Sequence, residues 1–559
     1  MVRHRTGLRL LLGGILLFLA SDLRSHPAHA KPVNYPYVVG FERFHSSLDD
    51  DEYLAQGGLI LLNELNCVAC HAAPEAFSET LSGVSGTRLD GVSGRLEAVD
   101  LELMIRNPRF LKQDTIMPSL FSGPDRDLEE VEALRHFLSS LPEEIPKYPE
   151  GDIEAGRLLY HRIGCAACHA PEVGYRPAGI PDNAEIELAG LPSVPMNLAD
   201  RYGLDALTHF LLFPNEHRPS GRMPDFHLSQ KEAIDLSAYL KAGPDLELPK
   251  NVSEALGAAT TEIDPELVRK GKALFLEKNC HACHALPEEG IAQAAPMSLS
   301  LRELSRTEDK GCLSERPPGG KVPFYGLDLV QKRSIRAALE RLSSFENWDS
   351  EKEIDWRMKR LNCYACHERA GVGGPETARE VYFGFGSEEG IALGRAGHLP
   401  PALDVVGAKL KPEWLDMVLL HPEKAVMRPY LAARMPKYLE KESQSLLAQL
   451  KEHDQLPDWE LVEAGRGEES PNGKELFSGA RENCEACHGA GETQPIQYPG
   501  MNLGHSSRRL VPEYFDLFLR RKYSAHPPRV EGMNRSERKL TQEDTDALWE
   551  WLRSVAVGE

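Results

Sequence analysis

Past its first twenty residues the 559-residue chain has no long apolar run, which excludes a polytopic membrane protein. Positive charge is in deficit, with 64 Lys and Arg against 85 Asp and Glu and a net charge of −21. A surface of that sign repels phosphate backbones, so nucleic acid is excluded as the expected partner and proteins with a basic docking patch are favoured. Nothing in the chain reads as a sheet. The glycine-rich stretch 371–397, with Gly384-Phe385-Gly386, lacks the preceding strand and the spacing of a dinucleotide site and reads as a loop. Hydrophobic residues at 41% and charged residues at 27% are ordinary, which excludes wholesale disorder. At ~150 residues per domain, the length suggests about four domains.

Residues 1–30 carry Arg3, Arg5 and Arg9, an apolar run from Leu10 to Ala20, and Ala28-His29-Ala30. A charged n-region, a short h-region and an A-x-A site make a secretory signal. The run is too short for the ~20 residues of a spanning helix, so an uncleaved anchor is the weaker alternative. The first cysteine is Cys67, which disfavours a lipid-anchored N-terminus. Loss of the segment's four Arg and one Asp leaves the chain from Lys31 at −24. The expectation is an exported, periplasmic, soluble protein without a membrane span in its mature form.

Eleven cysteines are present, and ten of them fall into five copies of Cys-x-x-Cys-His. These are Cys67, Cys70 and His71; Cys165, Cys168 and His169; Cys280, Cys283 and His284; Cys363, Cys366 and His367; and Cys484, Cys487 and His488. Two thiols three positions apart on one turn can bond the two vinyl groups of a porphyrin, and the next residue then sets an imidazole beneath the iron. The pattern reads as c-type haem attachment, here five covalent haem c groups. Zinc would need the Cys-x-x-Cys units in pairs, and five is odd. A thioredoxin-like pair wants a βαβ context, and disulfides would not explain a His after every pair.

The first cysteines are spaced by 98, 115, 83 and 121 residues, which means tandem domains rather than a solenoid of ~20–50-residue repeats. Each motif follows a short helical stretch with a common skeleton: Gly58…Leu61-Leu62, Gly156…Leu159-Tyr160, Gly271…Leu274-Phe275 and Gly473…Leu476-Phe477. A helical Gly costs ~1 kcal/mol against Ala, and close approach of a second helix would explain it. The fourth repeat departs, with Ile354 in that place followed by Trp356 and Met358. Each repeat closes with an amphipathic helix expected over 128–141, 229–240, 327–339, 439–450 and 541–552; Ser229 and Glu232 have capping-box spacing. Between the helices come loops with Pro195-Met196-Asn197-Leu198, Pro296-Met297-Ser298-Leu299, Pro401-Ala402-Leu403 and Gly500-Met501-Asn502-Leu503. Linkers are expected at 141–151, 249–264 and 454–471.

Helix, Cys-x-x-Cys-His, Pro-x-Leu-type loop, Met-Pro and closing helix, in that order, resemble a class I cytochrome c domain. Five such domains in tandem would cover nearly all of residues 50–559. The resemblance implies an all-α fold, each domain a few helices around one covalent haem, divided at 31–145, 146–248, 249–345, 346–455 and 456–559. It also implies a sixth iron ligand from a Met before a Pro, which raises the reduction potential. Met117, Met223 and Met435 fit, and Met533 in Gly532-Met533-Asn534 is a weaker match. Core filling is the alternative for each, and Met104, Met427 and Met501 read as packing. In the third repeat Val322 stands where Met223 stands in the second, and Val has no lone pair to give. The eleventh cysteine, Cys312, lies ten residues upstream and is left open as a buried hydrophobe, a haem ligand or an intermolecular disulfide partner. Met297 is a weaker candidate. His45, His136, His161, His217, His227, His398 and His505 read as surface or packing residues, and His281 as an exposed spacer.

An exported chain with five mostly six-coordinate haems is expected to carry electrons between redox proteins. The alternative is a haem oxidoreductase, peroxidase-like, with its chemistry at an open third haem. The oligomeric state is left open.

Overall fold

The computed structural model describes residues 33–556 except 122–126, 142–143, 178–179, 181–185, 187–189, 197–201, 243–261, 297, 305–310, 316–321, 347, 384–396, 426–427, 429–430, 460, 462–471, 480–483, 497–499 and 522–539. The expected signal, Met297, Met427, Met533 and Gly384-Phe385-Gly386 lie outside the described residues. The protein is mostly helical, as expected. Among the described residues the strands are Glu368–Arg369 and Val372–Gly373, paired antiparallel. No described helix is long and apolar enough to cross a membrane.

Ten helices frame the repeats, an opening and a closing one in each. They are α1 (Asp51–Glu64) and α2 (Leu128–Ser139), α3 (Ile153–Arg162) and α4 (Gln230–Lys241), and α5 (Pro265–Glu277) and α6 (Leu329–Glu340). The last four are α7 (Ser350–Arg360) and α8 (Glu440–His453), then α9 (Gly473–Ser478) and α10 (Gln542–Ser554). All opening helices start alike: the side chains of Asp50, Asp152, Asp264, Asp349 and Asn472 accept hydrogen bonds from first-turn amides. Among closing helices, Ser229 with Glu232, Asp328 with Gln331 and Thr541 with Asp544 form reciprocal capping boxes.

The pairing of these helices departs from chain order. Helices α3 and α4, α7 and α8, and α9 and α10 pack within their own repeats, but α1 packs on α6 and α5 packs on α2. The helical glycines show how. A Cβ on Gly156 would collide with the Asp235 carbonyl of α4, one on Gly58 with the Ser334 carbonyl of α6, and one on Gly271 with the Ala133 carbonyl of α2. Gly473 of α9 does the same on the Ala547 carbonyl of α10, so this close helix crossing is made four times, twice with exchanged partners. Residues 31–145 and 249–345, expected to fold as separate domains, form one intertwined unit in which each repeat's opening half is closed by the other's. Where Ile354 replaces the glycine, it and Met358 are instead fully buried in the apolar core shared by the fourth and fifth repeats.

Candidate functional site

Each motif is a single tight turn. Asn66, Asn279 and Asn362 take the left-handed conformation (φ 57°, 60° and 58°), and Gly164 does so in the second repeat (φ 124°). Asn tolerates that region, so the opening helix stops and the chain doubles back into the cysteines. The His amide then donates to the first Cys carbonyl in every copy: His71 to Cys67 (3.0 Å), His169 to Cys165 (2.9 Å), His284 to Cys280 (3.0 Å), His367 to Cys363 (2.9 Å) and His488 to Cys484 (2.9 Å). Both thiols and the imidazole therefore share one turn.

Each imidazole is also pinned. Its Nδ1 faces a loop carbonyl, which only accepts, so Nδ1 carries the proton and Nε2 the lone pair. The partners are Val194 O for His169 (2.9 Å), Pro401 O for His367 (2.8 Å) and Met501 O for His488 (2.9 Å). In the intertwined unit they are crossed: Leu299 O for His71 (2.6 Å) and Thr87 O for His284 (2.8 Å). An imidazole fixed through its second nitrogen is the usual arrangement of a metal-bound His. Burial holds the His169 imidazole down at about 4 and lowers those of His284 and His367, so all three are neutral at pH 7. Burial also pushes the thiols of Cys165, Cys280 and Cys363 up to about 12. These are neutral thiols, unlike the depressed-pKa thiolates of nucleophilic sites.

Motif one touches motif three, and motif two touches motif four. Asn66 Nδ2 donates to Cys283 Sγ (3.4 Å) and Asn279 Nδ2 lies 4.0 Å from Cys70 Sγ, joining motifs one and three. Asn362 Nδ2 donates to Cys168 Sγ (3.2 Å), joining four and two. Arg379 of the fourth repeat, 1% exposed, tightens that junction by donating to the carbonyls of Ala167 (2.7 Å) and Pro192 (2.8 Å). The half that covers motif three meets the second repeat where the Arg88 amide donates to His217 O (3.0 Å). The fourth and fifth repeats join where Lys411 N donates to Arg509 O (2.9 Å) and Val511 N to Lys409 O (3.0 Å). Repeat one also reaches repeat four, where Arg43 donates to Asn362 Oδ1 (3.5 Å), so the repeats cluster rather than follow one line.

A continuous void of about 2460 Å³ runs through the interior, several times an ordinary ligand pocket of ~300–1,000 Å³. Its wall is mostly apolar and includes both cysteines and the histidine of motifs two to five. Met117, Met223 and Met435 line it, as do Met104 and Met501, expected only to pack. Lys409 and Arg509 stand in the wall; burial pushes the amine down to about 8 and the guanidinium to about 10, and Arg509 Nε has no hydrogen-bond partner. None of the eleven cysteines is in a disulfide, and among the described residues no group of three or more His, Cys, Asp or Glu is gathered to hold a bare metal ion.

Cys312 is not beside motif three, where chain order would put it. It packs in the apolar cluster of Cys67, Val68 and Tyr325, and burial, then the neighbouring Cys70, raises its thiol to about 11. The physical reason is the exchange, which carries the segment after Leu299 onto motif one. Tyr325 seals that contact by donating to Leu65 O (2.8 Å), while Val322 is 37% exposed. His281, expected as an exposed spacer, is half-buried. Two kinds of residue were missed from the sequence. Asn precedes the first Cys in four of the five motifs, a repeat signal in plain view. Glu64, 5% exposed, accepts from Arg222 Nε (2.8 Å) and Arg360 (3.4 Å) and so ties three repeats together; nothing in its local sequence marks it.

No family model matches the chain, and no solved structure does. One stretch is similar to cytochrome c oxidase subunit 2 of Alkalihalophilus pseudofirmus, 37% identical over 95 residues, which is 16% of this chain. The chain spans about a quarter of that relative's length, 26%.

Proposed function

We propose that the protein is an exported five-haem c-type cytochrome, built of class I cytochrome c-like domains, that carries electrons between redox partners. The observation that carries this reading is the five-fold recurrence of a turn holding two thiols and an imidazole pinned through Nδ1. The residues fit the group. Cys67, Cys70, Cys165, Cys168, Cys280, Cys283, Cys363, Cys366, Cys484 and Cys487 would attach it, and His71, His169, His284, His367 and His488 would bind iron. Met117, Met223, Met435 and Met533 are the distal donors of the reading. Lys409 and Arg509, buried in the apolar wall, suit the acidic side chains of a porphyrin.

When bound, the group supplies a one-electron couple whose potential its axial ligands set. The chain's part is to hold each imidazole oriented and to line the void mostly with apolar side chains. It also brings the sites together in two touching pairs, and contact between sites is what a relay between two partners requires. The partial likeness to a cytochrome c oxidase subunit supports the same chemical class.

The test is direct. Denatured protein from a host with haem-maturation machinery should stain for haem and carry five haem masses; four or fewer would count against the reading. The acidic surface, −24 after residue 30, should recognise a basic redox partner, and the encounter should slow as salt screens charges beyond ~8 Å. A rate flat in salt would make that surface a solubility device only. A second reading, a peroxidase-like oxidoreductase with an open iron, is favoured by the segment 311–325, which carries Cys312 and Val322 but no methionine. The exchange moves that open site from motif three to motif one. Binding of CO to the reduced protein separates the two readings.

A further inference from the structure

Much of the described chain between residues 86 and 139 of the first repeat has left its own motif, although Ile116 still packs in the cluster of motif one. The Gly86 amide donates to Cys283 O (2.8 Å) and Thr87 O accepts from His284, so the loop beneath the imidazole is anchored to motif three. At the other end of the stretch α2 packs on α5, held by Lys278–Glu130 (2.5 Å) and Lys270–Glu129 (3.5 Å). Phe121 lies beneath the Lys278 amine at 5.2 Å. Met117 sits between these two anchors. It lines the void together with Pro118, Leu120, Cys280, Cys283 and His284, whereas Cys67, Cys70 and His71 do not line it. The reciprocal stretch behaves the same way: Ser298 N donates to Cys70 O (3.0 Å) and Leu301 N to Ala72 O (3.1 Å) beside motif one.

Motifs two and four supply the control. There Met223-Pro224-Asp225 and Met435-Pro436-Lys437 meet in a two-bond ladder between Asp225 and Lys437 (2.9 and 2.7 Å), and each chain returns to its own opening helix. Met117-Pro118-Ser119 makes the same ladder with Phe324 (2.9 Å both ways), but the two anchors on either side of it, Gly86-Thr87 and α2, lie on the other motif and its helix. Resting on the haem reading, we infer that Met117 is the distal ligand of the iron held by His284, so that one haem site is assembled from two distant repeats.

The test counts methionine-ligated ferric haems in the full-length protein by their long-wavelength methionine-to-iron absorption. The set is wild type, Met117→Ala, Cys280→Ala/Cys283→Ala and the three changes combined. Met117→Ala should remove one equivalent, the cysteine pair should remove one, and the combination should remove no more than one. Loss of two in the combination would assign Met117 to His71 and overturn the inference. So would no loss from Met117→Ala with all haems attached. The underlying reading fails separately, if mass spectrometry finds fewer than five haems on the wild type.

Should the cysteine variant not fold, the unaltered protein still answers. Zero-length carbodiimide coupling should yield Lys278–Glu130 and Lys270–Glu129 peptides joining α5 to α2. Their absence, while Lys272–Glu289 (2.6 Å) couples, would overturn the exchange on which the assignment stands.

Discussion

The pair made by motifs two and four and the pair made by one and three are built from the same contacts and closed in opposite ways. In both, an Asn before one motif reaches a Cys of the other, and two Met/Val-Pro-x segments meet in a short antiparallel ladder. In the first pair each opening helix receives its own closing helix; in the second it receives its neighbour's. Local pattern therefore fixes what each half looks like, while connectivity decides which halves meet. Because α2, α4 and α6 each offer a backbone carbonyl to the same opening-helix glycine, these halves are interchangeable, the condition under which exchange of an element costs little. The consequence is mechanical. The two–four pair can part by rigid-body motion, but the one–three pair cannot part without unpacking helices.

The largest expected effect lies where the pairs meet. Glu64 ends α1 of the exchanged pair and takes Arg222 and Arg360 from the other pair. Burial would raise its carboxyl, but Arg222 and then Arg360 outweigh it and hold the pKa below its ordinary value. Glu64→Gln takes a charged partner from Arg222, about a third exposed, and from the buried Arg360, which keeps Glu442, and should cost about 1.5–3 kcal/mol in thermal unfolding. A folded-state pKa below the unfolded value gives stability that is complete above about pH 4.3 and lost as pH falls through the folded pKa. The gap between wild type and variant should therefore close in acid. A gap unchanged down to strong acid would show that the charge of Glu64 is not what joins the pairs.

Next come the glycines. Gly58→Ala drives a Cβ into the Ser334 carbonyl and Gly156→Ala into that of Asp235, so each should cost about 1–3 kcal/mol by overpacking, and by similar amounts. If Gly58→Ala were neutral while Gly156→Ala destabilised, α1 would not lie on α6, and the contrast between the pairs would dissolve.

The same glycines mark how far the sequence can be read. Gly58, Gly156 and Gly271, nine residues before their motifs, call for a helix at close quarters, and each has one. The closing helices fall where the amphipathic pattern puts them, and the Ser229–Glu232 box forms. All of these are set within a few turns of chain. The exchange was not legible, because each opening helix carries the same face and no local residue states a partner. For the same reason Cys312 and Met117 were each attached to the nearer motif in sequence. Glu64 was invisible for a related cause: its meaning comes from Arg222 and Arg360, which only folding brings to it.

Cys312 offers the third way to sharpen the comparison. It packs with Cys67, so its effect belongs to motif one. If Cys312 ligates the iron of motif one, Cys312→Ser should remove one low-potential component from a five-component titration and add one CO-binding equivalent, since an anionic thiolate stabilises ferric iron. Combined with Cys67→Ala/Cys70→Ala, it should then change nothing further. An unchanged titration in the single variant would leave Cys312 as packing.

The smallest effect tests whether the two kinds of pair differ at all in their local devices. Ser229 caps a closing helix that stays at home and Asp328 one that is exchanged, and each forms a reciprocal box. Replacing either by Ala should cost about 1 kcal/mol, because a cap answers to its own first turn. Asp328 has one further neighbour. Burial, and then the Asp328 charge, push the Glu42 carboxyl up to about 7. A carboxyl with a raised folded pKa withdraws stability as pH rises from about 4.3 towards that value. Asp328→Asn keeps the cap and removes the charge, so it should stabilise by a fraction of ~1 kcal/mol above pH 7 and by nothing near pH 4. Ser229→Asn, whose carboxyl neighbour Glu232 is held below its ordinary value chiefly by Arg434, should be flat from about pH 5 upwards. Equal and pH-independent effects of the two Asn variants would mean that the N-terminal segment bearing Glu42 does not rest on α6, and that the exchanged pair is held by its helices alone.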